Sequence, residues 1–107
     1  MKQQAFKYRF KPAVVMEDVR ASLVIATLAA EGEFGSARVR LEARYEFDPD
    51  NYCCTVRGDT PAGEMIARTF TALLQHELGD DGFTVELVDV GGDDGISGIG
   101  RAIAHLN

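Results

Sequence analysis

The sequence predicts an α+β fold in which two helices cover one face of a four-stranded antiparallel sheet. Residues 5–11 and 37–47 alternate apolar and charged side chains with a period of two, which is typical of strands that bury one face. Residues 16–31 and a segment that follows Asp59 repeat their apolar side chains every three or four positions, as helices do. With two further strand-like stretches, the predicted order is strand, helix, strand, strand, helix, strand.

The first strand and the first helix have recognisable ends. The strand, AFKYRFK, alternates three aromatic residues with three basic ones and stops before Pro12. The helix is predicted over about residues 16–31, because acidic residues occupy its first turn and Gly32 follows its last apolar position. These two elements form the first half of a strand-helix-strand unit.

The strictest alternation in the chain is ARVRLEARYEF, at residues 37–47. It predicts a long strand with its apolar residues on one face and its arginines and glutamates on the other. The turn sequence DPDN then precedes YCCTVR, at residues 52–57, which we interpret as the return strand of a hairpin.

The second helix starts at Asp59-Thr60-Pro61, which offers a capping residue and a proline for the first turn, and it ends at Gly79. Residues 83–90 form the last strand. The element order resembles the split βαβ arrangement of ferredoxin-like folds (βαββαβ) over about residues 5–90. We therefore assign residues 1–90 to one ferredoxin-like α+β domain. Residues 91–107 read as a Gly/Asp-rich linker and a short C-terminal docking helix.

Composition and charge narrow the classes of function. The chain has 107 residues and a net charge of −6, and this charge disfavours a protein that binds nucleic acid over its whole surface. No apolar run approaches the roughly 20 residues of a membrane span, and no signal sequence is recognisable, so we expect a cytoplasmic protein. The only cysteines, Cys53 and Cys54, are adjacent and point to opposite faces of a strand, so they predict neither a disulfide nor a metal site. No cofactor motif is present.

Basic residues are concentrated in the outward register of the predicted strands. If the apolar registers face the helices, the opposite face carries Lys7, Arg9, Lys11, Arg38, Arg40, Arg44 and Arg57. This set predicts an anion-binding face, although the aromatic residues that would stack on bases lie in the inward register. The interpretation that the sequence favours is instead a solvated or protein-covered face, on which Glu42, Glu46 and Glu86 balance the positive charge.

Acid/base candidates come from the ends of the two helices. We expect the two helices to run roughly parallel, which places Glu31 and Glu77 at the same edge of the sheet, with His76 nearby. A carboxylate at a helix C-terminus opposes the helix dipole and invites a cation or a catalytic role. These residues would serve a small dimeric α/β enzyme.

The function that the sequence favours is a non-enzymatic module for protein interaction or self-association. The first helix is apolar around more of its circumference than one surface can bury, and the C-terminal segment carries a second apolar stripe. A homodimer or a protein partner would cover both. The interface candidates are Val24, Ile25, Leu28, Ile96, Ile99, Ile103 and Leu106. An anionic-ligand or nucleic-acid binder and a small dimeric enzyme are the alternatives.

Overall fold

Residues 4–89 are described by the computed structural model, and they form one sheet and three helices. The elements are β1 (Gln4–Phe10), α1 (Met16–Phe34), α2 (Ser36–Glu42), β2 (Tyr45–Asp48), a single 3₁₀ turn (Pro49–Asn51), β3 (Cys53–Arg57), α3 (Pro61–Leu78) and β4 (Phe83–Asp89). The predicted α+β class and the four-stranded antiparallel sheet are confirmed. Among the described residues no helix has the length and apolarity needed to span a membrane. The predicted tail helix, with Ile96, Ile99, Ile103 and Leu106, lies outside the described residues.

The sheet has the strand order β2-β3-β1-β4, and every neighbouring pair is antiparallel. The strands β1 and β2 therefore run in the same direction with β3 between them. In the same way β3 and β4 run in the same direction with β1 between them. Each strand-helix-strand unit is thus split by a strand of the other unit, and β1 lies in the interior of the sheet.

The core lies between one face of the sheet and helices α1 and α3. Tyr8 is fully buried in the centre of β1 and packs edge-on against Phe70 of α3, with 4.8 Å between ring centroids. Its hydroxyl donates to the carbonyl oxygen of Ala67 at 3.1 Å and lies 2.7 Å from Thr71 Oγ1. A buried hydroxyl needs such partners, because an unsatisfied polar group in the core costs about 1–3 kcal/mol. The tyrosine thereby fixes α3 over β1.

The predicted strand at residues 37–47 is wrong over most of its length. Residues Ser36–Glu42 form α2, and β2 is confined to Tyr45–Asp48. The segment SARVRLE is rich in good helix formers, and Arg38 and Glu42 form a 2.7 Å ion pair at the four-residue spacing of a helix. Only Val39 of this helix is buried, so a single inward position is enough to dock it. Alternation over seven residues therefore did not distinguish a strand from a short helix.

Helix ends agree with the sequence for α3 and differ for α1. Within the predicted start Asp59-Thr60-Pro61, Thr60 is the residue that caps α3, because its Oγ1 accepts from the Gly63 amide at 3.0 Å. The first helix does not stop at Gly32 but continues to Phe34, and Gly35 with φ of 86° separates it from α2. The Gly35 amide donates to the carbonyl oxygen of Glu31 at 2.8 Å, which closes α1.

Two helical glycines provide a matched test of this fold. A Cβ on Gly63 would clash with the carbonyl oxygen of Arg57, whereas a Cβ on Gly32 would meet no atom within 4 Å. We expect Gly63→Ala to lower the free energy of unfolding by about 1–3 kcal/mol. Gly32→Ala should raise it by about 0.4–1 kcal/mol, because alanine reduces the entropy of the unfolded chain. Urea unfolding at 25 °C measures both. Equal effects of the two substitutions would contradict the packing of the first turn of α3 against β3.

Candidate functional site

The side of α1 that points away from the sheet is apolar at its centre. Val24, Ile25 and Leu28 are 51%, 52% and 57% exposed, respectively. On a helix of 3.6 residues per turn these three positions span roughly 100° of the circumference, so they form one continuous surface. We call this surface the outer α1 face. The opposite side of the helix packs into the core through Val19, Leu23, Ala26 and Ala30.

The other long helix does not share this property. The exposed side of α3 carries Glu64, Arg68 and Gln75, and the first two form a 3.1 Å ion pair. Single exposed apolar residues are normal on protein surfaces, but adjacent ones on one helix face indicate an interaction site. The outer α1 face is therefore a distinct surface and not a general feature of the helix layer.

Charged residues border the outer α1 face at its N-terminal end. Glu17 and Asp18 are exposed in the first turn of α1, where negative charge suits the helix dipole. Arg20 approaches Glu17 only to 4.0 Å and lies over the ring of Phe47, 5.0 Å from its centroid. This end of the face therefore has an acidic border with one weakly paired arginine.

The C-terminal end of the face meets the arginines of α2. Arg38 is held by Glu42, and this hydrogen bond lowers the pKa of the Glu42 carboxyl. Arg44 donates to two carbonyl oxygens at the C-terminal end of α2. Arg40 has no hydrogen bond or ion pair with any residue in the range 4–89, and it lines a cleft of about 410 Å³ together with Glu31. Arg40 is therefore available to an acidic group from outside the domain.

The expected acid/base group is not assembled. The helices α1 and α3 run antiparallel, because the strands that precede them, β1 and β3, are antiparallel. The prediction that the helices are parallel is wrong, and Glu31 lies at the opposite end of the sheet from His76 and Glu77. Residues 4–89 contain no group of three or more His, Cys, Asp or Glu side chains placed to hold a metal ion.

The seven basic residues of the predicted anion-binding face do not share one surface. Lys7, Arg9 and Arg57 lie on the face of the sheet opposite the helices, as their register predicts. Lys11 follows the end of β1, and the remaining three lie on or just after α2: Arg38, Arg40 and Arg44. The division follows from the helical conformation of α2, which removes these arginines from the sheet. Glu42 is likewise on α2 and is not a cross-strand partner.

The sheet face around Lys7 and Arg9 carries both signs of charge. Lys7 pairs across the strands with Thr55 and Glu86 and is only 5% exposed. Burial, followed by the neighbouring positive charge of Arg9, lowers the pKa of Lys7. One guanidinium nitrogen of Arg9, Nη2, is buried and has no hydrogen-bond partner among the described residues. Lys7 and Arg9 on β1 are therefore two neighbouring, partly buried positive charges that repel each other.

The two cysteines lie on opposite faces of β3, as the sequence predicts. Cys54 is buried in the core, and burial raises the pKa of its thiol to about 12. Cys53 is half-buried on the other face, where burial and then the negative charge of Asp48 raise its pKa. A nucleophilic cysteine needs a lowered pKa, so neither environment favours a thiolate at neutral pH.

A second surface was missed by the sequence analysis. It is a groove of about 430 Å³ beside α3, which we call the α3–β4 groove. Its lining residues are Phe6, Glu64, Ala67, Arg68, Thr71, Ala72 and Gln75. Val85 and Leu87 of β4 are exposed on the same side of the sheet as Phe6. The alternation of β4 predicts which of its residues face the helix layer. No local sequence pattern predicts how much of this edge strand α3 covers, so the groove could not be predicted.

Comparisons with protein-family models, with curated proteins and with solved structures find no match to this chain. The function is therefore inferred from the surfaces of the domain. The outer α1 face is the surface on which adjacent apolar residues, an acidic border and an unpaired arginine occur together.

The buried thiol predicts how stability depends on pH. The pKa of Cys54 is about 12 in the folded protein and 9.0 as the ordinary value, so the folded state holds its proton over a range in which the unfolded state loses it. The stabilisation is complete below pH 9 and is lost as pH rises from about 9 to 12. Tyr8, with a pKa raised to about 12, acts in the same direction from its ordinary 10.0.

We expect Cys54→Ala to reduce the loss of stability between pH 8 and 10.5, by up to about 1.4 kcal/mol per pH unit for one proton. Urea unfolding in the presence of a reducing agent measures this loss. Cys53→Ala is the matched control, since it leaves the deeply buried Cys54 and Tyr8 in place and should retain most of the alkaline loss. An identical pH dependence in Cys54→Ala and the unmodified protein would contradict burial of the Cys54 thiol.

Proposed function

We propose that this protein is a non-enzymatic self-association module that forms a homodimer through the outer α1 face. The observation that supports this proposal is the group of three adjacent apolar side chains, Val24, Ile25 and Leu28, each more than half exposed. Burial of apolar surface stabilises association by roughly 25 cal/mol per Å². In a monomer this surface would face water with no compensating contact from the described residues.

A second copy of the chain fits this face because of its position on the helix. α1 spans Met16–Phe34, and Ile25 is the middle residue of that span. In a two-fold symmetric dimer the same surface must contact itself. Two antiparallel α1 helices that cross at Ile25 bring the two outer α1 faces together, which a patch at one end of the helix could not do.

The charges at the two ends of α1 favour the same arrangement. In an antiparallel pair, the N-terminal end of one helix lies beside the C-terminal end of the other. Glu17 and Asp18 of one protomer then approach the junction of α1 and α2 in its partner, where Arg40 forms no ion pair with any residue in the range 4–89. Complementary charges of this kind fix the register of an interface more than they raise its affinity.

The proposed interface extends beyond the three central residues. A stable protein interface buries about 800 Å² on each partner, which is more than three half-exposed side chains supply. Leu41 of α2 is 76% exposed and would add apolar area at the end of the contact. The dimer is therefore proposed to use both α1 and α2.

We further infer that the domain is a ferredoxin-like fold with α2 added before β2. The two split strand-helix-strand units and the strand order support this assignment. Both cysteines are unpaired thiols, which suits a reducing compartment such as the cytoplasm. In this arrangement the helix layer, and not the sheet, carries the self-association surface.

Anion binding is a second candidate function, and Arg9 is the observation that favours it. Its buried Nη2 lacks an acceptor among the described residues, and it lies beside Lys7 on the same face of β1. A phosphate oxygen would satisfy this donor and offset the repulsion between the two cations.

The homodimer is tested by changing the outer α1 face in the full-length protein. Sedimentation equilibrium at 10–100 µM should give twice the 11.7 kDa mass of one chain. Leu28→Glu should raise the dissociation constant at least tenfold, because it places a charge in the apolar contact. His76→Glu is the control, since it places a carboxylate at an exposed position on α3 that belongs to neither the outer α1 face nor the α3–β4 groove. A monomer at 100 µM in the unmodified protein would exclude the proposal.

A charge exchange then tests the proposed register. Arg40→Glu should weaken the dimer, and adding Asp18→Arg to it should restore part of the lost affinity. Arg38→Glu is not a suitable control because Arg38 is bonded within α2. If the double variant is as weak as Arg40→Glu alone, the helices do not pair in the antiparallel register.

The anion site is tested with tripolyphosphate as the probe, by isothermal titration calorimetry at low ionic strength. We expect Arg9→Gln to weaken binding at least tenfold and Arg38→Gln to leave it unchanged, because Arg38 lies on α2. Binding should also weaken steeply with added salt. If the unmodified protein does not bind, or if both variants lose affinity equally, the sheet face is not the anion site.

A further inference from the structure

The α3–β4 groove is a surface that none of the proposed functions uses. Phe6 and two alanines line it together with polar side chains of α3, and exposed apolar residues of β4 lie on the same side of the sheet. β4 is an edge strand, and its residues Val85 and Leu87 are 40% and 55% exposed. Leu87 pairs with Phe6 of β1, so both side chains lie on the side of the sheet that the helices cover elsewhere. Helix α3 covers β1 and β3 but leaves this edge open. An exposed edge strand with apolar residues is a liability that proteins usually cover.

The chain itself supplies a candidate cover that starts at the correct end of the groove. β4 ends at Asp89, which pairs with Gln4. The same end of the sheet holds the start of α3, because Gly58 donates to the carbonyl oxygen of Gln4 shortly before Pro61. Residues 90–95, which include three glycines, can span up to about 20 Å. They are long enough to return the chain to the N-terminal end of the groove.

The following segment matches the groove in length. Glu64 and Gln75 mark the ends of the α3 side of the groove, and eleven residue steps on a helix correspond to about 16 Å. Ile96 and Leu106 are ten steps apart, which corresponds to about 15 Å on a helix. A helix that ran back antiparallel to β4 would therefore extend along the whole groove.

The segment also has one apolar side, which suits the exposed apolar residues of β4. Ile96, Ile99, Ile103 and Leu106 recur at intervals of three, four and three, which places them on one side of a helix. Arg101 and His105 fall on the opposite side, where they would face water. The charged positions are thus absent from the side that would contact Val85 and Leu87.

We propose that residues 96–106 dock as a helix in the α3–β4 groove of their own chain and cover Val85, Leu87 and the edge of β4. Docking within the same chain is favoured because a linker as short as residues 90–95 holds the segment at an effective concentration in the millimolar range. The domain would then have a third helix packed along its sheet beside α3, with its own apolar contact that is separate from the outer α1 face.

Amide hydrogen exchange of the full-length protein, followed by NMR, tests this proposal. We expect the amides of residues 96–106 to exchange at least tenfold more slowly than in an unstructured peptide of the same sequence. Leu87→Glu should remove this protection while the amides of α1 and α3 stay protected. Ile103→Glu should have the same effect from the other side of the contact. Arg101→Glu is the matched control within the segment and should leave protection unchanged.

Leu28→Glu separates this contact from the proposed homodimer, because it should weaken the dimer and leave the protection of residues 96–106 intact. Unprotected amides in the unmodified protein would overturn the docking, and so would full protection in Leu87→Glu. Protection that disappears on dilution, as the dimer dissociates, would also overturn it, because it would place the segment in the groove of the partner.

Discussion

The position of β1 in the interior of the sheet is the constraint on which the rest of the domain depends. β1 pairs with β3 on one side and β4 on the other, so it joins the two halves of the chain. Tyr8 in its centre is fully buried and binds α3 through its hydroxyl, while α1 packs alongside α3 over the same face. Every other element is placed relative to this strand. The sides of α1 and α3 that do not pack on the sheet are the exposed surfaces of the helix layer.

The helix layer therefore has two surfaces with different geometry. The outer α1 face is convex and lies at the middle of a long helix, which suits contact with an identical convex helix. The α3–β4 groove is a concave site of about 430 Å³ beside α3, which suits a short helix from the same chain. We propose association between molecules through the first surface and docking of the C-terminal segment in the second. Their separation allows each contact to form without the other.

Much of this architecture could be predicted from the sequence, and the errors have physical causes. β1 and α3 were predictable because their apolar periodicity agrees with their end signals, namely Pro12 after the strand and Thr60 before the helix. The segment before β2 was not, since helix propensity and the Arg38–Glu42 pair outweighed alternation. The exposed apolar side of α1 was also predictable. The antiparallel direction of the helices depends on the order of the strands in the sheet. The α3–β4 groove depends on how much of the sheet α3 covers. No local sequence pattern predicts either property.

The shortness of β2 has a consequence for the behaviour of the protein at high concentration. Because residues Ser36–Glu42 are helical, the edge of the sheet beside β3 is a strand of only four residues, Tyr45–Asp48. A strand of eleven residues at that edge, as the alternation would allow, would offer a long row of unpaired backbone groups to other chains. The helical segment replaces most of that row with internally bonded backbone. A sequence with strong alternation thus offers little backbone for intermolecular strand addition at the β2 edge of the sheet.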